Sequence, residues 1–259
     1  MDERSVGFVG GGRVTGFLLE ALREQGFPLS RVVVSDTSPA VRSALEARLP
    51  GLRVTADNRE AAVRERVFLA LHPPALCPLL PELAGTIRPD AVVVSLAPVL
   101  RFERLQAGLG GFGRLARLIP NAPSLVHRGY NPVAFAPGLP PAERQELLAL
   151  LDLLGRHPEV DEERLEAYAV LAAMGPTCFW FQWEALRELG ASFGLGRRET
   201  DEALLATVEG AARLLFEGGR SYAEVADMVP VKPLADLEPA WRGAYAEKLG
   251  GLYGKLTRR

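Results

Sequence analysis

The sequence has few of the residues that bind metals or cross-link chains. It contains two cysteines, Cys77 and Cys178, and three histidines, His72, His127 and His157. Two cysteines cannot build a disulfide framework or a zinc cluster, and three scattered histidines argue against a multi-histidine metal site. We therefore predict no metal centre, and we interpret both cysteines as small buried side chains in a reducing cytoplasm.

Long apolar runs and an excess of charge are also missing. The longest apolar stretches, such as Ala91–Leu100, are too short to cross a bilayer. The start, Met-Asp-Glu-Arg-Ser, lacks the basic and apolar regions of a signal peptide, so we predict a cytoplasmic protein. A formal net charge of −2 gives no electrostatic reason to expect nucleic acid or a membrane as partner.

The first part of the chain alternates short β-branched runs with helical stretches, which is the pattern of a doubly wound α/β domain. The strands are predicted at Val6–Val9, Arg31–Ser35, Val67–Leu71, Ala91–Leu96, Arg114–Ile119 and Asn131–Phe135. Their near-continuous apolar character is typical of parallel strands covered on both faces. The helices predicted between them include Val14–Gln25, Pro39–Leu49 and Glu60–Arg66.

Three consecutive glycines, Gly10, Gly11 and Gly12, follow the first predicted strand and precede the first predicted helix. In this context Gly10 permits a tight turn, and Gly12 lets backbone N–H groups approach a pyrophosphate without a Cβ in the way. The helix that follows directs its positive end at the phosphates. The third position of the fingerprint is Thr15, and we expect Gly16 to supply the close contact between helix and strand. The turn predicts a binding site for NAD or NADP.

Asp36 ends the second predicted strand, 20 residues after Gly16. A carboxylate at this place accepts hydrogen bonds from the ribose hydroxyls and repels a 2′-phosphate, which favours NAD. Ser35, Thr37 and Ser38 can instead hydrogen-bond a phosphate, and Arg42 lies one helical turn further on. NAD is therefore preferred in our interpretation, and NADP remains open.

After about residue 161 the predicted strands stop. Helices are predicted over Glu162–Gly190 with a break at Gly175-Pro176, and over Thr200–Glu217, Tyr222–Met228 and Leu237–Leu256. We predict a Rossmann-type dinucleotide-binding domain at residues 1–157, followed by an all-α domain for substrate and dimerisation at residues 158–259. Aromatic stretches such as Cys178–Phe181 favour a homodimer or higher homo-oligomer formed through these helices.

Ten separated segments follow one another in the order and spacing of a known enzyme family. They are Gly7–Gly12, Val34–Asp36, Thr55–Asn58, Ala70–Pro74, Val94–Ala97, Arg117–Pro123, Gly175-Pro176, Glu184–Leu186, Gly194-Leu195 and Asp227–Val229. The sequence resembles the pyrroline-5-carboxylate reductases from residue 5 to about residue 230. This resemblance implies a small-molecule substrate, a cyclic imine that carries a carboxylate, which a nicotinamide hydride reduces to proline. It also implies that Asn58 approaches the adenine ribose and that His72, which replaces a family lysine, lies near the cofactor.

Two segments depart from the family where its members bind the substrate carboxylate. The family's serine-glycine-serine before Gly175-Pro176 reads Ala172-Ala173-Met174 here, and a preceding threonine is Ala169. The serine-proline-glycine-glycine-threonine loop is replaced by Pro230–Ala235. Lys232 can substitute as a point charge, although a solvated surface lysine is the competing interpretation.

The candidate site residues divide into a cofactor set and an acceptor set. Asn121, His127 and Lys232 are the candidates for catalysis; a structural turn residue and a surface loop residue are the competing interpretations of the first two. Asn121, Met174, Thr177 and Lys232 are the candidates for substrate binding. The cofactor is predicted to contact Gly10, Gly11, Gly12, Arg13, Val14, Asp36, Thr37, Asn58, Leu71, His72, Pro73 and Ala97.

Three functions remain open at this point. The first is an NAD(P)-dependent oxidoreductase that transfers a hydride to a small imine or related C=N or C=O acceptor. The second is a true pyrroline-5-carboxylate reductase of proline biosynthesis with a rearranged carboxylate site. The third is a catalytically inactive dinucleotide-binding sensor or assembly protein.

Overall fold

Apolar β-branched segments form a seven-stranded sheet in this computed structural model, which describes residues 4–257. The strands are β1 (Val6–Val9), β2 (Val32–Ser35), β3 (Arg53–Thr55), β4 (Arg66–Leu69), β5 (Val92–Ser95), β6 (Leu115–Leu118), β7 (Gly129–Tyr130), β8 (Val133–Phe135) and β9 (Gly155–Arg156). The order in the sheet is β3-β2-β1-β4-β5-β6-β8, and β7 pairs with β9 in a separate ribbon. The first six strands of that order are parallel, which confirms the predicted doubly wound domain.

The last strand of the sheet corrects one expectation. The sequence predicted Asn131–Phe135 as a member of the parallel set, but β8 runs antiparallel to β6. The chain between these two strands contains a short 3-10 helix and β7 instead of the crossover α-helix that a parallel neighbour requires.

The helices are α1 (Arg13–Glu24), α2 (Pro39–Arg48), α3 (Asn58–Ala62), α4 (Pro73–Ala84), α5 (Phe102–Gly108), α6 (Pro141–Leu151), α7 (Leu165–Tyr168), α8 (Thr177–Ser192), α9 (Arg197–Glu217), α10 (Tyr222–Asp227), α11 (Glu238–Ala244) and α12 (Gly250–Thr257). π-helical turns at Ala169–Ala173 and Tyr245–Leu249 follow α7 and precede α12. All described elements after β9 are helical, as the sequence predicts.

Sequence reasoning missed α4 because this helix contains Pro78 and Pro81 in its interior as well as two prolines at its start. Each internal proline removes a backbone donor. Leu76, Leu80 and Leu83 of the helix are nevertheless buried, and that burial outweighs the low helix propensity. The predicted helix Glu60–Arg66 was also wrong in extent, since α3 ends at Ala62 and Arg66 opens β4.

Side chains on the two faces of the sheet belong to two apolar clusters. Phe8 and Val34 pack with α1, α2 and α6 on one face, whereas Val33 and Val93 pack with α3, α4 and α5 on the other. Successive strand residues point to opposite faces, so each strand contributes to both clusters. Helices therefore cover both faces of the sheet, and the carboxyl ends of its parallel strands are left as the place for a ligand.

The described residues form two compact units. One runs to Met174 and includes the residues from Tyr253 onward, and the other is Gly175–Leu252. The segment before α8 belongs to the first unit because Leu165 and Ala169 pack against Ile119 and Ala134. The predicted division between residues 157 and 158 followed the change from alternating strands to helices in the sequence, and it stays a prediction.

The second unit has almost no interior of its own. Among residues 175–252, all of which the structure describes, only Gly190 and Thr200 are buried. A Cβ at Gly190 would lie 2.6 Å from Thr200 Cγ2, so the glycine allows α8 and α9 to pack closely. Gly194 and Gly219 follow the C-terminal ends of α8 and α9, and both have positive φ.

The described residues include no candidate membrane span, and their two cysteines are not joined in a disulfide. No helix among residues 4–257 combines the length and apolar character needed to span a bilayer. Cys77 and Cys178 are free thiols, but both are half-buried where full burial was expected.

Candidate cofactor and acceptor site

The carboxyl ends of five parallel strands meet at one edge of the sheet. Parallel register places Val9 opposite both Ser35 and Leu69, and Ser95 opposite both Leu69 and Arg117. The segments that follow these residues therefore emerge side by side. In open parallel sheets, ligands bind outside this edge at the point where the strand order reverses, which here lies between β1 and β4.

The glycine turn begins at this point and needs glycine for two different reasons. Gly10 has a φ of +108°, and a Cβ there would lie 2.6 Å from the carbonyl oxygen of Ala70. Its amide donates to the carbonyl oxygen of Ser35 at 2.8 Å, and its own carbonyl accepts the Thr15 hydroxyl at 2.6 Å. Thr15, which departs from the usual fingerprint, is therefore buried and stabilises the turn by this hydrogen bond.

Gly12 differs because its side-chain position is open. It is the N-cap of α1 with a φ of −66°, and a Cβ there would meet nothing within 4 Å. No side chain caps α1, so the free amides of its first turn remain available to an anion. Packing within the protein therefore does not require a glycine at this position, and the absence of a side chain there fits the close approach of a pyrophosphate.

Gly16 does not make the contact that the sequence predicted. We expected it to allow a close approach between α1 and a strand, but a Cβ there would lie 2.1 Å from the guanidinium of Arg48 in α2. Arg48 Nε also pairs with Glu20 Oε1 at 2.6 Å. The glycine therefore makes room for a cation beside α1.

Asp36 is held by the backbone on both of its carboxylate oxygens. Oδ2 accepts the amide of Gly11 at 2.9 Å, and Oδ1 accepts the amide of Ser38 at 2.9 Å. Arg42 donates from Nη1 to the carbonyl oxygens of Asp36 and Thr37, at 2.7 and 3.1 Å. The carboxylate is thus fixed at the end of β2, and the nearby guanidinium is bound to backbone carbonyls.

A smaller cavity of about 310 Å³ lies at the β2 side of the turn. It brings together Gly10, Asp36, Thr37, Asn58 and Leu71 from the predicted cofactor set. The other lining residues are Ser35 and four residues of α4, which sequence reasoning missed because it did not predict that helix. These are Ala75, Pro78, Leu79 and Glu82.

A larger cleft of about 830 Å³ starts at the same turn and lies wholly within the first unit. Its predicted lining residues are Gly11, Gly12, Arg13, Val14, Asp36, Leu71, His72 and Met174. Residues of α2 that were not predicted also line it, and the helical spacing of the predicted helix Pro39–Leu49 was the signal that could have found them. They are Val41, Ala44, Leu45 and Arg48.

Two predicted cofactor residues line neither cavity. Pro73 follows His72 as the first residue of α4. Ala97 is buried, and its amide donates to the Ser95 hydroxyl at 3.3 Å. Both lie next to lining residues, so any contact with a cofactor would come from the adjacent backbone.

The far end of the cleft, which we call the acceptor end, is formed by three segments of the first unit. Leu96 and Pro98 follow β5, and Ile119 and Pro120 follow β6. The third wall is the π-helical turn, where the amide of Met174 donates to the carbonyl oxygen of Ala169 across five residues. This wider turn places Ala169, Ala173 and Met174 on the cleft.

A buried ion cluster fixes the segment that contributes Pro98. Arg117 is 1% exposed and donates to Glu162 Oε1 at 3.0 Å and to Glu166 Oε1 at 2.6 Å. Glu166 Oε1 also accepts the amide of Val99, and Glu162 Oε1 accepts the amide of Phe102. Sequence reasoning did not single out these carboxylates, because their role depends on Arg117, which lies 45 residues before Glu162 and 49 before Glu166.

Val99 shows that this segment is under strain. Its φ of +73° is rare for a β-branched residue and costs about 1–3 kcal/mol. The hydrogen bond from its amide to Glu166 compensates part of that cost. We therefore interpret the ion cluster, here defined as Arg117, Glu162 and Glu166, as the element that sets the position of the β5–α5 segment.

Asn121 and His127 have protein partners. The amide oxygen of Asn121 accepts the amide of Tyr130 at 2.9 Å, and its nitrogen donates to the carbonyl oxygen of Ala172 at 3.3 Å. The ring of His127 lies 3.0 Å from the carbonyl oxygen of Leu153 and 3.5 Å from Glu24, near the C-terminal end of α1. Neither residue lines the cleft in the described part of the chain.

Thr177 and Lys232 lie in the second unit. Thr177 is the first residue of α8, and Lys232 lies in the exposed segment between α10 and α11. Neither belongs to the lining of the cleft in the first unit. Their proposed contact with an acceptor stays a prediction. Within residues 4–257, no group of three His, Cys, Asp or Glu side chains is arranged to hold a metal ion.

Known proteins resemble this chain over most of its length. A family model described as NADP oxidoreductase coenzyme F420-dependent matches residues 5–98. The pyrroline-5-carboxylate reductase of Synechocystis sp. is 30% identical over 226 residues, which cover 86% of this chain and 84% of that protein. The chain belongs to the pyrroline-5-carboxylate reductase family. The reductase of the same name from Pseudomonas aeruginosa is 26% identical over 227 residues, with coverage of 87% and 83%.

Solved structures share the fold over the whole chain. The pyrroline-5-carboxylate reductase of Coxiella burnetii is 25% identical with a TM-score of 0.71, and the match covers 98% of this chain and 95% of that one. The pyrroline carboxylate reductase of Plasmodium falciparum, solved with NADP bound, has a TM-score of 0.84 at 17% identity, with coverage of 99% and 98%.

Family membership confirms the predicted enzyme class. This pyrroline-5-carboxylate reductase family member is an NAD(P)-dependent oxidoreductase with an N-terminal Rossmann-type sheet and a helical C-terminal region. The role of each site residue, the acceptor and the choice between the two cofactors stay predictions.

Proposed function

We propose that this chain transfers a hydride from NADH or NADPH to a small imine, or a related C=N or C=O acceptor, in a pocket altered from that of its relatives. The observation that carries the proposal is the continuity of the cleft. Within one unit, it runs from the bare Gly12 and the uncapped start of α1 to an apolar end at Met174. A volume of about 830 Å³ accommodates a nicotinamide ring and a small acceptor together.

The residues present fit a dinucleotide. Gly10–Gly12 and the first turn of α1 would bind the pyrophosphate, and Arg13 and Arg48 add positive charge at the same end of the cleft. Asp36, Thr37, Asn58 and Leu71 would surround the adenosine in the smaller cavity. Val14, His72, Pro73 and Ala97 complete the proposed cofactor set. When bound, the cofactor supplies the hydride.

The chain's own contribution to the reaction is placement and exclusion of water. A protonated C=N bond is already electrophilic, so no strong acid is needed at the moment of transfer. The apolar walls at Leu96, Ile119 and Ala173 would hold the acceptor and keep solvent away. Asn121, His127 and Lys232 remain the proposed candidates for assisting protonation, and Met174, Asn121, Thr177 and Lys232 those for contact with the acceptor.

We also propose a preference for NAD over NADP. The Asp36 carboxylate borders both cavities, and the guanidinium of Arg42 is bound to the carbonyl oxygens of Asp36 and Thr37. A 2′-phosphate there would face a fixed negative charge. The expected kcat/KM is higher with NADH, and Asp36→Asn is expected to shift the ratio toward NADPH by about tenfold, or ~1.4 kcal/mol. A wild-type preference for NADPH would refute this proposal.

The proposed reaction is tested by following nicotinamide absorbance with purified full-length protein. Cyclic imines, with 2-oxo acids as C=O comparators, are added in the presence of NADH or NADPH. Imine-dependent oxidation at least about tenfold above the rate without enzyme is the expected result. Tight cofactor binding without turnover of any acceptor would instead favour the catalytically inactive sensor or assembly protein.

A second candidate is true pyrroline-5-carboxylate reduction for proline biosynthesis. The names of the curated relatives favour it. It requires carboxylate donors that lie outside the described lining of the cleft, and Thr177 or Lys232 would have to supply them. Turnover of pyrroline-5-carboxylate above that of all other imines is the outcome that supports this candidate.

We further propose that the protein forms a homodimer or higher homo-oligomer in the cytoplasm through its C-terminal helices. The second unit supports this proposal because it buries almost none of its residues. Its large side chains Trp180, Phe181 and Phe193 are 47%, 57% and 75% exposed. Large exposed apolar side chains in such number are typical of an interface between subunits.

A further inference from the structure

The acceptor end of the cleft presents only apolar side chains in the described part of the chain. They belong to Leu96, Pro98, Ile119, Pro120, Ala169, Ala173 and Met174. None of these side chains carries a charge, a hydroxyl or an amide. The acceptor end therefore offers dispersion contacts and exclusion of water, and it offers no side-chain partner for an anion.

The charged and amide side chains closest to this end along the chain are engaged elsewhere. Arg117 precedes Ile119 by two residues, but it is 1% exposed and bound by Glu162 and Glu166. Asn121 follows Pro120, and its amide group bonds to the backbone of Tyr130 and Ala172. An anionic ligand would have to break these contacts to use either residue.

The cations that do line the cleft belong to its other end. Arg13 is the first residue of α1 and follows the bare Gly12. Arg48 lies beside Gly16 and pairs with Glu20. Both positions suit the phosphates of a dinucleotide, so they leave no positive charge for a group bound between Pro98 and Met174.

From this separation of charge we infer that the acceptor is a small cyclic imine without a carboxylate group. The inference rests on the proposed function and names its substrate class. The proton is on the imine nitrogen and the imine carbon gains the hydride. The C=N π electrons move to nitrogen and NAD(P)H leaves as NAD(P)⁺, so one iminium gives one secondary amine. A carboxylate on the ring carbon at the other side of the nitrogen would find, at the acceptor end, no charged, hydroxyl or amide side chain of the described first unit to replace its hydration, which disfavours its binding.

Matched pairs of substrates test this inference directly. 1-Pyrroline is compared with 1-pyrroline-5-carboxylate, and 1-piperideine with its 6-carboxylate, under identical conditions with NADH and with NADPH. We expect kcat/KM to be about tenfold or more higher for the member without carboxylate in each pair. A preference for the carboxylated members overturns the inference and leaves the proposed function intact. Turnover of neither member of either pair overturns the inference, and the proposed function fails as well if the 2-oxo acid comparators are also left unreduced.

A second readout measures binding without turnover. Pyrrolidine and proline, the products of the first pair, are titrated by saturation-transfer NMR into the protein saturated with NAD⁺ or NADP⁺. The expected result is a saturable signal for pyrrolidine and a signal for proline that is at least about tenfold weaker at equal concentration. Tighter binding of proline would contradict the inference.

Substitution at Met174 isolates the effect of one hydroxyl. Met174→Ser adds a donor to the acceptor end, and Met174→Ala removes the same bulk without adding one, so their comparison cancels the change in volume. We expect the ratio of kcat/KM for 1-pyrroline-5-carboxylate to that for 1-pyrroline to be severalfold higher in Met174→Ser than in Met174→Ala. Equal ratios would show that polarity at this wall does not select the acceptor.

Discussion

At the scale of single residues, a substitution at Gly12 is expected to change the affinity for cofactor without changing the stability of the protein. A Cβ there meets nothing within 4 Å, and its φ of −66° suits any residue. Gly12→Val should therefore leave Tm unchanged and raise the Kd for NADH and NADPH by about 100-fold, or ~2.7 kcal/mol. Isothermal calorimetry measures the affinity, and scanning calorimetry measures Tm.

A matched control for this substitution lies at the end of α4. Gly85 is also exposed, has a negative φ and would place a Cβ in open space. Gly85→Val should change neither Tm nor cofactor affinity. If Gly12→Val binds cofactor as tightly as Gly85→Val, the turn does not hold the pyrophosphate.

Single residues also show which site features a sequence can predict. Gly10, Gly12 and Asp36 lie near strand ends, and local spacing was enough to place them at the sheet edge. Asn121 and His127 were harder, because their hydrogen-bond partners lie on segments as distant as residues 172 and 153. Sequence reasoning weighed a structural turn for the first and a surface loop for the second, but it had no means to find those partners.

At the scale of elements, the ion cluster of Arg117, Glu162 and Glu166 joins the sheet to the helical segment that forms one wall of the cleft. Glu166→Ala leaves the Arg117 guanidinium with one of its two carboxylates and frees the strained Val99. We expect the free energy of unfolding to fall by about 3–5 kcal/mol, as for other broken buried pairs. Urea denaturation measures this loss.

A double substitution distinguishes stability from positioning. Arg117→Met with Glu166→Leu removes the two most deeply buried charges and leaves Glu162, whose side chain is 17% exposed, so most of the lost stability should be recovered. The amide of Val99 would still lack its acceptor, so KM for cofactor or acceptor should remain raised in the double variant. Full recovery of both stability and kinetics would mean that the cluster does not position the β5–α5 segment.

The packing of α8 on α9 makes a second prediction at this scale. Gly190→Ala places a methyl group 2.6 Å from Thr200 Cγ2 and should destabilise the protein by about 1–3 kcal/mol. Gly210→Ala is the control, because Gly210 lies within α9 and a Cβ there would meet open space. The Gly210→Ala protein should be slightly more stable than the wild type, since alanine has the higher helix propensity. Thermal unfolding should give a lower Tm for Gly190→Ala and a slightly higher Tm for Gly210→Ala. A change of Tm in the same direction for both variants would refute the packing argument.

Elements differ in how well the sequence predicts them, and burial explains the difference. The central strands carry continuous apolar runs, so their places were predicted within one or two residues. The edge strand β3 is partly exposed, and β7 and β9 are two residues long, so no periodicity marks them. The four prolines of α4 argued against a helix at this place, and its stabilisation comes from tertiary packing that buries Leu76, Leu80 and Leu83.

At the scale of the whole molecule, the change from alternating strands to continuous helices is visible in the sequence, because it follows from composition over long windows. The acceptor end of the cleft is different. It combines residues that follow β5 and β6 with a π-helical turn 50 residues further on, and only the folded chain brings them together. Met174 was the one residue of this end predicted for the site, since the family resemblance drew attention to its segment.

The last prediction concerns the second unit, which cannot bury its apolar surface alone. Residues 175–252 contain only two buried residues, whereas an independently stable domain of such length needs a substantial core. We therefore expect multi-angle light scattering at micromolar concentration to report a dimer or larger species. Phe193→Asp, which charges a side chain that is 75% exposed, should shift the protein toward monomer and lower its Tm. Val126→Asp charges a similarly exposed side chain of the first unit and should leave the mass unchanged. A wild-type protein that remains monomeric would show that the exposed aromatic face serves something other than self-association.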